Sequence, residues 1–106
     1  MLDAQRVTME LIGELKGIVE RVRSRSSDLA DQIQRAATSV ALNLAEGRGR
    51  TGPDRRRVFR IASAEAQEVK VALEVAAAWG YVDADAIATA VALADRIGAM
   101  TYRLAT

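Results

Sequence analysis

The chain contains no cysteine and no histidine. Their absence removes disulfides, thiol nucleophiles, thiolate zinc sites and imidazole acid–base chemistry together, which puts most familiar catalytic machinery out of reach. Aromatic residues number only four, while half of the chain is apolar, so any core must be aliphatic and rich in alanine. Strand-forming runs of Val, Ile, Thr and Tyr are missing, and alanine favours helix. No stretch approaches the roughly 20 consecutive apolar residues of a membrane span, and the first residues lack the charged and then apolar segments of a secretion signal. These absences together predict an all-α protein of the cytoplasm with no membrane contact, no cofactor and no enzymatic activity.

What is present is enough for one domain, residues 1–106, with a modest core. The net charge of +1 argues neither for nor against nucleic acid. Its distribution is more telling. From Arg21 to Arg60 ten arginines stand against Asp28, Asp31, Glu46 and Asp54, a local balance of +6, and the remainder sums to −5.

Apolar spacing predicts four helices. Val7, Leu11, Leu15, Ile18 and Val22 recur at steps of three and four, placing a first helix from Asp3 or Ala4 to about Arg23. Gly13 and Gly17 within it either admit another helix closely or are tolerated surface glycines. Ser24 to Asp28 makes a turn and supplies an N-cap for a second helix. Ile33, Ala37, Val40 and Leu44 carry that helix to Glu46, where Gly47 offers a stop. Pro53 suits the first turn of a third helix, capped near Thr51 or Gly52 and closed by Gly80 after Trp79. Asp83 is the cap expected for a fourth, with Ala86, Ala90, Leu93, Ile97, Met100 and Leu104 on its stripe and Ile87, Val91 and Ala94 widening it. Short links between such helices imply an up-down-up-down antiparallel four-helix bundle.

The segment Ile33 to Gly47, IQRAATSVALNLAEG, resembles the IRRAA-x-SI-x-x-NIAEG signature of the four-helix-bundle proteins of 23S ribosomal RNA intervening sequences. Val58-Phe59-Arg60-Ile61-Ala62 is similar to that family's F-L-x-I-A region. Glu68 with Val69, Leu73 and Trp79-Gly80-Tyr81-Val82 follows its E-L-x-x-x-L and L-G-Y-L pattern. Two positions depart from it: Ala64-Glu65 stands where members carry Gly-Ser or similar small residues, and Lys70 where they often have a second acid. The resemblance implies a homopentameric ring. It also connects the chain to the accessory variability determinant of diversity-generating retroelements, a basic pentamer that works with a reverse transcriptase and RNA.

Two sets of residues invite a role beyond folding. Arg35, Asn43, Glu46, Glu65 and Glu68 form either a structural polar network that fixes helix register or a subunit contact, or a carboxylate site suited to an oxygen-ligated metal. The di-iron pattern of Glu-x-x-His pairs is impossible without histidine. Arg48, Arg50, Arg55, Arg56, Arg57 and Arg60 gather where an up-down bundle also brings both chain ends, so Arg6 and Arg103 join them. Arginine forks and the amides of a helix start suit phosphate oxygens, making RNA or DNA backbone one reading. The other is a structural or protein-interaction oligomer in which these arginines are solvated or pair with a neighbouring subunit. The second stripe of helix three, Phe59, Val71 and Val75 beside Val58, Ala62 and Leu73, is wider than one seam needs and points to subunit packing.

Overall fold

The computed structural model describes residues 2–106 and contains four helices: α1 Asp3–Arg23, α2 Ser27–Arg48, α3 Gly52–Ala78 and α4 Ala84–Leu104. No strand occurs among the described residues. Each helix packs on its sequence neighbour, and α1 closes the set against α4, giving the four-helix bundle expected from the spacing. Buried Val7, Leu11, Leu15, Ile18 and Val22 of α1 meet Ile33, Val40 and Leu44 of α2, Phe59, Val69 and Leu73 of α3, and Ile87 and Ile97 of α4. Between these larger residues the core is filled by Ala36, Ala37, Ala62, Ala66, Ala76, Ala90 and Ala94, which bury little area each and let the helices lie close.

The ends of the helices follow local chemistry. The Leu2 amide donates to Oε1 of Gln5 at 2.7 Å, satisfying one orphan donor at the start of α1. Ser26 is the N-cap of α2, its hydroxyl accepting from the Leu29 amide at 3.2 Å. The amide of Tyr81 donates to the Ala76 carbonyl and that of Gly80 to Ala77, a Schellman closure of α3 that requires the positive φ of 77° at Gly80. Asp83 occupies the N-cap position of α4 without a side-chain bond.

Three expectations are corrected. Gly47 does not stop α2, which runs on to Arg48 with Gly49 at the C-cap. Instead Gly47 is buried against Phe59: a Cβ there would stand 2.6 Å from ring carbon Cε1, so glycine is needed for α3 to approach. On α4 the buried line is Ile87, Ala90, Ala94, Ile97 and Thr101, with Leu93, Met100 and Leu104 on its flank. Thr101 fits this apolar line because its hydroxyl donates back to the Ile97 carbonyl at 2.7 Å. On α3, Phe59, Val58, Ala62 and Leu73 belong to the buried face, while Val71 and Val75 are exposed. Gly13 and Gly17 have no neighbour near a would-be Cβ and are surface glycines within this chain.

Candidate nucleic-acid interface

The three-residue link between α2 and α3 and the two chain ends lie at the same end of the bundle. Leu2 and Asp3 share a surface groove with Met100, Arg103 and Leu104. At the opposite end the α1–α2 turn meets the α3–α4 link, where Arg25 stacks over the Tyr81 ring at 5.4 Å. Folding redistributes the charge seen along the chain. The half holding residues 2–12, 38–64 and 94–106 carries nine arginines and five acids, a net +4, and the other half is net −3. Arg21, Arg23, Arg25 and Arg35 fall in the negative half, which is why the contrast is milder in space than in sequence.

The six arginines proposed from sequence divide into three groups. Arg50 is held by two carboxylates, Glu46 at 2.6 Å and Asp54 at 2.5 Å, and Arg57 reaches the other oxygen of Asp54 at 3.1 Å. These are four-residue and three-residue steps that carry an ionic ladder across the link. Hydrogen bonding to Arg50, then to Arg57, holds the Asp54 carboxyl below the usual carboxylate range, and the two acids raise Arg50 in turn. Arg55 lies over the buried Phe59 ring, 5.0 Å from its centroid. Arg48, Arg56 and Arg60 are exposed and have no acid partner within ion-pairing distance among the described residues. Arg6 pairs with Asp3 at 3.4 Å and Glu10 at 3.8 Å. The cations available to an external anion at this end are therefore Arg48, Arg56 and Arg60, with Arg103 on α4.

The polar set of α2 and α3 is dispersed. Glu46 belongs to the link ladder, and Asn43 donates to the carbonyl and hydroxyl of Ser39, at 2.9 and 3.0 Å, within its own helix. Only Arg35, Glu65 and Glu68 act on one another. Partial burial, then the nearby Glu68, raises the Glu65 carboxyl above its ordinary value, and the charge of Arg35 opposes the shift. No three acids gather in a way that could hold a metal ion among the described residues. Lys70 reaches α4 and donates to Asp95 at 3.1 Å.

Sequence reasoning missed that two of the four aromatics are on the surface, Trp79 at 70% exposure and Tyr102 at 66%. Tyr102 belongs to the basic half. Leu42, Ile61, Val71 and Val75 add apolar surface on α2 and α3. No helix among the described residues is long and apolar enough to cross a membrane.

A compact antiparallel bundle with an arginine-rich end and an apolar outer face on α3 is the class that the fold and the surface define. The family described as 23S rRNA-intervening sequence protein matches residues 2–103, and the chain belongs to it. No curated protein matches the chain as a relative.

Proposed function

We infer that this protein is a non-enzymatic, oligomeric binding scaffold of the cytoplasm whose basic end holds nucleic-acid phosphates. The observation that carries this reading is the division among the arginines. The fold neutralises Arg50 and Arg57 internally, yet leaves Arg48, Arg56 and Arg60 exposed and unpaired around one short link. Cations left around one link without an acid of their own favour an anion that brings several charges, as a phosphate backbone does. Assembly is supported by exposed Leu42, Val71, Val75 and Trp79, which give α2 and α3 an outer apolar surface beyond what one bundle core uses. A homopentameric ring, which the family resemblance implies, would present five basic ends together and turn weak binding at each into useful affinity.

The test pairs light-scattering mass with binding of a fluorescent structured RNA at low salt. Changing Arg48, Arg56 and Arg60 to Ala should abolish most binding without altering mass. The same change at Arg21, Arg23 and Arg25, in the negative half, should leave binding largely intact. Equal losses in both triples would contradict a localised site. An oligomer that ignores RNA would favour the second reading, a structural or protein-interaction assembly, for which the apolar outer surface is the supporting observation. A monomer would remove the ring.

A further inference from the structure

Resting on the reading of the basic end as a phosphate surface, we propose that the groove between α3 and α4 is a stacking site for an unpaired nucleobase, with Tyr102 as its platform. Arg60, Ser63 and Gln67 from α3 and Gly98, Tyr102 and Ala105 from α4 line this groove. It begins at one of the unpaired arginines and holds the exposed aromatic side chain of the basic half. An exposed tyrosine alone is ordinary. Its position in a groove with an unpaired guanidinium and a side-chain amide gives the three chemistries that single-stranded nucleic acid needs: a π-face for stacking, a cation for the phosphate, and a donor–acceptor pair for a base edge.

Gly98 forms part of the floor of this groove. A Cβ there would meet nothing within 4 Å, so the space above it is open. Its carbonyl accepts from Ser63 at 3.1 Å and from Thr101 at 3.0 Å, which ties α3 to α4 at this level through a backbone acceptor. The missing side chain leaves the groove floor bare beside Tyr102. From Arg60 to Gln67 the groove spans about 10 Å along the helix, space for a base and its flanking phosphates.

Single strands rather than duplexes are the occupant that this geometry selects. Bases stacked within a duplex offer no free face to a side chain, whereas unpaired bases in loops, bulges and ends do. Arg60 then serves both the phosphate surface and the groove, so a strand entering from the basic end is held by charge first and by stacking next.

The experiment measures binding of fluorescein-labelled oligouridine of twelve nucleotides and of an RNA duplex of equal length, for wild type, Tyr102→Ala, Tyr102→Phe and Gly98→Leu, with light-scattering mass for each. Tyr102→Ala should weaken oligouridine binding about tenfold and leave duplex binding unchanged. Tyr102→Phe, which keeps the ring, should stay within about twofold of wild type, and Gly98→Leu should mimic the alanine variant by filling the floor. Oligouridine binding that survives in Tyr102→Ala, or a loss shared equally by strand and duplex, would overturn the stacking site. A change of mass in Tyr102→Ala would also overturn it, by showing the groove to be an interface between copies. If wild type binds neither probe, the phosphate reading fails as well. If both probes bind and neither Tyr102→Ala nor Gly98→Leu weakens the strand, the phosphate reading stands and the groove alone is refuted.

Discussion

The two ends of this bundle turn the chain by different means. At one end the α3–α4 link is closed by backbone geometry: Gly80 takes a positive φ, Tyr81 and Gly80 cap the last carbonyls of α3, and buried Val82 joins the core. At the other end three residues suffice between α2 and α3, because Gly47 lets Phe59 pack into the last turn of α2 and an ionic ladder spans the link. The first solution uses few charges. The second concentrates them, and once its acids have been matched to Arg50 and Arg57 it leaves four arginines without an acid, Arg55 over the Phe59 ring and Arg48, Arg56 and Arg60 exposed. Surplus charge at one end is therefore a by-product of neither the turn nor the core, and the proposed phosphate surface rests on it.

The contrast can be broken most severely at Phe59, the largest fully buried side chain. Phe59→Ala should lower stability by about 3–5 kcal/mol, read from the urea midpoint, and should loosen the basic end first in hydrogen exchange. Next comes Gly47→Ala. Overpacking of about 1–3 kcal/mol outweighs the helix-propensity gain of about 1 kcal/mol, so a net loss is expected. In a Phe59→Leu background, without the ring, that loss should shrink, and a double-mutant cycle measures the coupling. At the opposite end Gly80→Ala should cost about 1–2 kcal/mol through its left-handed backbone alone, with no dependence on salt.

Smaller effects sharpen the comparison through pH. Glu65 has a raised folded pKa, so the folded state binds more protons and its contribution to stability is lost as pH rises through that raised value. Asp54 has a lowered one, so its contribution is present above the ordinary carboxylate range and is lost as pH falls through the depressed value. Acidification from neutrality should therefore first raise and then lower the melting temperature. Glu65→Gln should remove the rise, and Asp54→Asn should soften the fall. Both changes are expected to be small, and the Asp54 effect should fade at high salt because its partners are exposed.

The helices are legible in the sequence because their apolar spacing is local information. α1 has the boundaries that its stripe predicts, and the cap residues Ser26 and Asp83 stand at their helix starts. Gly47 misleads because its neighbour Phe59 is twelve residues away on another helix, and a glycine near a helix end suggests a stop to any local reading. The pairing of Arg50 is within reach of sequence, since Glu46 and Asp54 lie four residues to either side. The tyrosine groove is not, because Arg60 and Tyr102 become neighbours only when α3 and α4 pack. Burial of Glu65 follows in part from its stripe position, whereas the separation of Glu46 from Glu65 and Glu68 needs the structure.

The most direct test of the phosphate surface is the slope of log affinity for structured RNA against log salt, for wild type and for the protein with Arg48, Arg56 and Arg60 changed to Ala. Each phosphate left without its arginine should take about 0.7–0.9 off the slope. The account predicts a slope shallower by about two or more in the triple variant, at unchanged oligomeric mass. Equal slopes and equal affinities in the two proteins would contradict it.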